Sequence, residues 1–330
     1  MKRKILILIG AVLTLLFVGV VVFFLSRGNE STSLSLPGNS KKLSVVTTLF
    51  PLAEFAREVG GDFVDVKLLL PPGAEAHAFE PTPQDIAMIN SADLFIFTGK
   101  AMEPWAENIA SEAQKSGVRV LDASVGVPML LRREDRKEDS GDTDSHDSEE
   151  ANGRVDPHIW LDPENAIHMV QEIEKALSEK DAEHKDVYRE RSEAYQETIS
   201  LIDEAYRTTL ESCATKTLLY GGHYAFGYVA KRYGLSYRAA QGFSPDAEPT
   251  ARTLAELTDQ IRRENIRFIF YEELSSPKIA ETLSRETGAT LLLLNAAHNV
   301  SKEDMGEKVS FLDILEENRA NLAEGLECRE

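Results

Sequence analysis

The chain has very little cysteine, and its positive charges are far fewer than its negative ones. Only Cys213 and Cys328 are cysteine among 330 residues, and 36 Lys and Arg stand against 55 Asp and Glu, which gives a formal net charge of -19. No cysteine closely follows the hydrophobic N-terminus, which excludes acylation at a lipobox. Because so acidic a chain has little with which to neutralise phosphates, we expect no nucleic-acid partner. A cationic ligand suits this charge better.

The N-terminus carries a long hydrophobic run behind a basic flank. Basic residues at 2–4 precede an uncharged stretch at 5–25, which as a helix would span about 30 Å, enough to cross a bilayer core. The basic flank predicts a cytoplasmic N-terminus with the remainder outside. Residues 1–42 are thus predicted to be a signal or membrane anchor with a tether; an anchor is favoured, and its cleavage is left open. Outside the cytoplasm, an even pair of cysteines predicts a disulfide between Cys213 and Cys328.

Short apolar runs alternate with helix-like segments along most of the chain, from Leu43 and again from Thr217. The predicted strands are Leu43–Thr48, Val64–Leu70, Leu94–Thr98, Val118–Leu121, Thr217–Tyr220, Leu235–Ala240, Ile266–Tyr271 and Thr290–Leu294. A helix is predicted to begin at His223 after the fifth strand, and a closing helix at about Ser310 after the last. Such alternation is typical of parallel sheets covered by helices on both faces. We therefore predict an α/β fold with two parallel-sheet lobes, at 43–184 and 212–330. Between them, 185–211 has the pattern of one amphipathic helix of about 27 residues and roughly 40 Å. That helix would join the lobes; an ordinary packed surface helix is the alternative.

An acidic insertion interrupts the first lobe at 132–153, where the only apolar residue is one alanine. Such a stretch cannot build a core, so we predict a disordered surface loop. Its His146 and carboxylates would be transient ligands if the loop collects cations. A solvated insertion without that role is the alternative.

Four histidines follow predicted strands in both lobes: His77, His158, His223 and His298. His158 lies between two Asp-Pro pairs, whose prolines restrict the backbone on either side. Ligands bind beyond the carboxyl ends of strands in open α/β sheets, so two lobes facing each other would bring the four imidazoles together in the crevice between them. Four nitrogen donors suit Zn²⁺ in a tetrahedral site. The alternative is that each histidine is separately a core or loop residue.

Several carboxylates are candidates to lie near these histidines: Glu75 and Glu80, which flank His77 in the sequence, and Glu272 and Glu273, which follow a predicted strand as the histidines do. Each could bind a metal or orient an imidazole, although a surface or helix-cap role is the alternative for each. Glu273 is the best placed of them, just after the third strand of the second lobe. The remaining histidines, His146, His168 and His184, are predicted to lie on the surface.

Four segments resemble the metal-binding solute-binding proteins of ABC importers, in particular the zinc-uptake branch of the ZnuA/TroA-like lipoproteins. They are Pro71–Pro83, Asp156–Pro163, Gly222–Tyr228 and Ser276–Leu283. The resemblance implies two α/β lobes joined by one long rigid helix, and metal ligation by His77, His158 and His223. The manganese branch typically has an acidic third ligand, so His223 favours zinc. His298 is assigned as fourth ligand by position alone.

The resemblance implies an extracytoplasmic receptor that binds Zn²⁺ as transported cargo and delivers it to a membrane permease. Such a chain would be a monomer and not an enzyme. One alternative is a zinc hydrolase with three histidines, a bound water and a base such as Glu273; the sequence has no His-Glu-x-x-His segment, and a fourth histidine would close that site. A manganese receptor of the same fold is another. A role in cell adhesion is neither supported nor excluded by the sequence.

Overall fold

The chain folds around two four-stranded parallel sheets. The structure, a computed structural model, describes residues 41–131, 155–243 and 248–329. The first sheet has the strand order β2-β1-β3-β4 and the second the order β6-β5-β7-β8. The strands are β1 (Leu43–Thr47), β2 (Val64–Leu68), β3 (Leu94–Phe97), β4 (Arg119–Asp122), β5 (Thr217–Tyr220), β6 (Ser236–Ala239), β7 (Phe268–Tyr271) and β8 (Thr290–Leu293). The predicted α/β fold with two parallel sheets is confirmed. The hydrophobic run and the acidic insertion lie outside the described residues.

Helices connect successive strands and cover the sheets. They are α1 (Phe50–Gly60), α2 (Pro83–Ser91), α3 (Ala106–Lys115), α4 (Pro163–Lys180), α5 (Lys185–Glu211), α6 (Gly227–Tyr233), α7 (Ala251–Glu264), α8 (Lys278–Thr287), α9 (Lys302–Glu307) and α10 (Phe311–Gly325), with 3-10 turns at Gly61–Phe63 and Ile159–Leu161. Because helices cover both faces of each sheet, the central strands are mostly apolar, and all four residues of β3 are apolar and buried. Parallel pairing places Val45 opposite Leu94, and Leu94 opposite Arg119.

The long helix α5 covers the residues predicted for it and packs on both halves of the chain. It contacts α1 and α4 beside the first sheet, and α6 and α10 beside the second. Its buried face repeats every three or four residues, with Tyr188, Tyr195, Ile199, Ile202 and Tyr206 all buried. The largest core cluster includes these side chains together with residues of β1, β3 and β5. The two sheets therefore share a continuous core within the compact unit Lys42–Glu330.

A disulfide joins Cys213, just after α5, to Cys328 near the C-terminus. The two cysteines also face each other in an isolated antiparallel bridge. The predicted pairing is confirmed, and it ties the end of the long helix to the segment that follows α10. None of the helices in the described ranges is both long and apolar enough to span a membrane.

The loop after β5 differs from the sequence-based expectation. The helix predicted to begin at His223 begins at Gly227, so 221–226 is irregular. The Tyr237 hydroxyl accepts hydrogen bonds from the backbone N–H groups of Ala225 (3.1 Å) and Phe226 (3.3 Å) in this segment. These bonds fix the loop that carries His223.

Candidate metal centre

The structure brings all four predicted histidines into one group. His77 lies in the loop that follows β2, His158 precedes the 3-10 turn before α4, His223 follows β5, and His298 follows β8. One ligand atom from each of the four lies within 4.8 Å of the other three. The carboxyl ends of strands from both sheets thus converge on a single point, as ligand sites in α/β folds commonly do.

The ring nitrogens approach each other closely. His158 Nε2 lies 3.3 Å from His77 Nε2 and 3.2 Å from His223 Nε2. The ring centroid of His298 lies 5.1 Å from the centroids of both His158 and His223. Ring nitrogens 3.2–3.3 Å apart are spaced as two nitrogens would be when both bind one ion at about 2.0–2.1 Å.

The group is buried, and one member faces outward. His158 and His223 are fully buried, His298 is 8% exposed, and only His77 is partly exposed. Within the described residues, Nε2 of His298 has no hydrogen-bond partner. A buried polar nitrogen without a partner is costly, and a metal ion among the four rings would satisfy it. The donor set therefore fits a metal.

Burial also fixes the protonation of these rings. It lowers the pKa of His77 to about 3, with a further contribution from His223 nearby. Burial and the neighbouring imidazoles hold the pKa values of His158 and His298 well below the ordinary range. These three rings are neutral near pH 7, so each keeps a lone pair for a metal.

Carboxylates orient two of the rings from behind. His158 Nδ1 lies 2.7 Å from Asp156 Oδ1, which also accepts a hydrogen bond of 3.0 Å from the backbone N–H of His158. His223 Nδ1 lies 2.8 Å from Glu272 Oε1, within ion-pair distance but outside hydrogen-bond geometry. The hydrogen bond to Asp156 keeps a proton on Nδ1 of His158 and leaves its Nε2 free to bind a metal, while Glu272 places a negative charge beside Nδ1 of His223. Both pairs direct Nε2 toward the centre of the group.

Two glycines make room for these carboxylates. A Cβ atom at Gly227 would lie 2.4 Å from Asp156 Oδ2, and one at Gly222 would lie 2.8 Å from Glu272 Oε2. Real Cβ atoms essentially never lie that close to another heavy atom, so any larger residue at Gly227 would displace the Asp156 carboxylate from its position beside His158.

The expectation that Glu273 is the best placed carboxylate was wrong. Glu272 lies beside His223, whereas Glu273 is hydrogen-bonded to Asp304 and Asn295, and burial together with Asp304 raises its pKa to about 8. Adjacent residues of extended chain point in opposite directions, so only one of the two can face the histidines. Glu75 accepts a hydrogen bond from the backbone N–H of His77 (2.9 Å), and Glu80 is exposed.

The remaining histidines lie apart from the group. His184 pairs with Asp181 and stacks on Phe63, and His168 bonds the Val125 carbonyl; His146 lies outside the described residues. No role was predicted for Asp156. Its position two residues before His158, across a proline, was the feature of the sequence that could have indicated its contact with the ring.

Comparison with known proteins also points to a zinc-binding protein. The model of the ZnuA family, described as the periplasmic component A of the zinc-uptake complex, matches residues 45–325. The chain belongs to this family. The family is one of solute-binding receptors, and its description places its members outside the cytoplasm.

Relatives and solved structures agree with the family assignment. The chain is 36% identical over 313 residues to the high-affinity zinc uptake system protein ZnuA of Bacillus subtilis, covering 94% of this chain and 97% of that one. It is similar to the Zn(II)-bound ZnuA-like domain of Streptococcus pneumoniae AdcA, with 33% identity, a TM-score of 0.72 and coverage of 86% and 99%. It is also similar to the laminin-binding protein Lmb of Streptococcus agalactiae, described as bifunctional with adhesin and metal-transporting activity, with 32% identity, a TM-score of 0.73 and coverage of 86% and 99%.

Proposed function

We propose that this member of the ZnuA family captures one Zn²⁺ ion with the Nε2 atoms of His77, His158, His223 and His298 and delivers it to the permease of an ABC importer. The observation that carries the proposal is the convergence of these four ligand atoms within 4.8 Å of one another. Zn²⁺ is commonly bound by four ligands in a tetrahedron at about 2.0–2.1 Å from each nitrogen. The imidazoles of these four histidines provide that set.

The donor set favours zinc over manganese. Imidazole nitrogen suits Zn²⁺, whereas Mn²⁺ is better served by carboxylate and carbonyl oxygen, and Zn²⁺ stands above Mn²⁺ in the general stability order. The nearby carboxylates of Asp156 and Glu272 contact the Nδ1 atoms of His158 and His223, on the side of each ring away from Nε2. They leave the centre of the group to nitrogen.

The same donor set argues against hydrolysis. A catalytic zinc keeps one coordination position for water, and a fourth histidine fills that position here. The proposed role is therefore binding and release of cargo, with no chemical turnover. Delivery to a permease would require the site to open, and His77 is the ligand nearest to solvent.

The proposal includes the setting of the protein. The hydrophobic run at 5–25 would anchor a monomer to the outer face of the membrane. Cell fractionation tests this point, because a chain shortened by residues 1–42 should leave the membrane fraction. Light scattering on the purified protein should give the mass of one chain. Laminin binding is attributed to the streptococcal relative, and no described residue of this chain carries an argument for it.

The decisive experiment is a calorimetric titration of the full chain, first stripped of metal with a chelator. We expect one Zn²⁺ per chain, bound more tightly than Mn²⁺. Equal or tighter binding of Mn²⁺ would refute the assignment.

The fourth ligand has its own test. His298→Ala should weaken Zn²⁺ binding about ten- to a hundredfold or more, a loss at least as large as those typical of outer-shell groups. Glu273→Ala is the matched control and should bind like the parent. The reverse pattern would make the carboxylate the ligand.

A further inference from the structure

The loop after β8 is bonded across the crevice to both metal-site loops of the first lobe. Trp160 Nε1, close to His158, donates to the Ala296 carbonyl at 2.8 Å. The Gly73 N–H, in the loop that carries His77, donates to the Val300 carbonyl at 2.9 Å. These bonds involve protein atoms only, so none of them needs a metal ion.

Asn299 makes the most extensive of these connections. Its Nδ2 donates to the carbonyls of Pro71 (2.7 Å) and Ala74 (3.0 Å), while its Oδ1 accepts from the Val300 N–H at 2.9 Å. The residue is only 1% exposed. The side-chain amide of Asn299 thus donates both of its hydrogen bonds to the same short loop.

That loop has no regular secondary structure to fix its shape. The chain from Pro71 to Thr82 contains neither helix nor strand, and it turns at Gly73, whose φ of 79° lies in the left-handed region. His77 is three residues beyond Ala74. An irregular loop keeps its position only where its backbone groups find partners, and Asn299 supplies the donors for two of its carbonyls.

The segment that leads to Asn299 is itself held in place by hydrogen bonds. Asn318 on α10 accepts from the Asn295 N–H (2.8 Å) and donates to the Asn295 carbonyl (2.7 Å). Ala297 has a φ of 57°, in the left-handed region that side chains rarely adopt, and its N–H donates to Asn295 Oδ1 at 2.7 Å. The loop is therefore built to a set shape, with His298 and Asn299 adjacent on it.

We propose that Asn299 is the positioning residue for His77, setting the distance between the His77 loop and the neighbouring ligand His298 before any metal arrives. The inference rests on the proposed zinc-binding function. Preorganised ligands bind a metal more tightly, since less ordering remains to be done on binding. Asn299 thereby couples one ligand of each lobe through a single side chain.

The test uses Zn²⁺ affinity of the full chain, measured by competition with a chromophoric chelator. Asn299→Ala should weaken Zn²⁺ binding about tenfold, within the range for outer-shell partners. Asn299→Asp keeps the size of the side chain and removes its donors, so it should lose affinity as well and serves if the alanine variant folds poorly. The matched control is Asn321→Ala, which removes a similar amide bond to the Leu293 carbonyl (3.0 Å) but touches no ligand loop. It should bind like the parent.

Two further backgrounds separate positioning from general support. In a His77→Ala chain, Asn299→Ala should change affinity little, because the ligand that it positions is already gone. In a His223→Ala chain, the tenfold loss should persist, because the two residues act on different ligands. Equal losses in both backgrounds, or no loss in the parent, would overturn the inference. A parent chain that failed to bind Zn²⁺ would instead refute the proposed function.

Discussion

The Asp156–His158 pair allows a quantitative prediction. Both side chains are fully buried, and Asp156 Oδ1 lies 2.7 Å from His158 Nδ1. Asp156→Asn keeps the volume of the side chain and removes its charge, so the ring loses the negative charge that favours a proton on Nδ1 and strengthens that hydrogen bond. Loss of such a partner usually weakens metal binding 10–100-fold, which corresponds to about 1.4–2.7 kcal/mol. We expect a loss in this range for Zn²⁺.

The chain offers a matched control for this substitution. Asp181 Oδ2 lies 2.6 Å from His184 Nδ1, the same type of pair, outside the histidine group. Asp181→Asn should change stability without changing Zn²⁺ affinity. Competition with a chelator of known affinity measures both variants against the parent. If Asp156→Asn bound Zn²⁺ as the parent does, the carboxylate would have no part in orienting His158 and the reasoning would fail.

Two further predictions concern stability. Replacing Cys213 and Cys328 together by serine removes a link between residues 115 apart in the sequence. Chain-entropy estimates for a loop of this length give a loss of about 5 kcal/mol in the free energy of unfolding, measured by denaturant unfolding; a loss far below 1 kcal/mol would contradict the estimate. Burial raises the pKa of Glu103 from 4.5 to about 7. The folded chain therefore holds this proton more tightly than the unfolded chain, and the resulting stability is present below pH 4.5 and lost as the pH rises through 7. Glu103→Gln should gain stability relative to the parent between pH 5 and 8, by up to roughly 3 kcal/mol, and parallel pH profiles would rule this out.

The fold could be predicted because its pattern is repeated and local. The observed bounds of β5 (Thr217–Tyr220) and α5 (Lys185–Glu211) are the same as those predicted from the pattern of apolar residues. Most strand ends shifted by one or two residues, since hydrogen bonding and not hydrophobicity decides where a strand stops. The short α9 was missed because it buries none of its residues; a capping box between Ser301 and Asp304 starts it instead.

The site was predictable in its ligands and less so in their support. Each of the four histidines follows a predicted strand, so the sequence pattern alone indicates that they lie at the carboxyl ends of the sheets. Whether Glu272 or Glu273 faces His223 depends on the direction in which the chain leaves β7, which the sequence does not specify. The role of Asn299 rests on contacts with residues 225 or more positions away in the sequence, and no local pattern encodes such contacts.

X-ray absorption spectroscopy of the zinc-loaded chain tests the central claim most directly. Four imidazoles predict a first coordination shell of four nitrogen atoms at about 2.0–2.1 Å, with the outer-ring scattering typical of histidine, and the pattern of three such ligands in His298→Ala. A shell in which the parent shows three imidazoles and one carboxylate or water oxygen would contradict the four-histidine site.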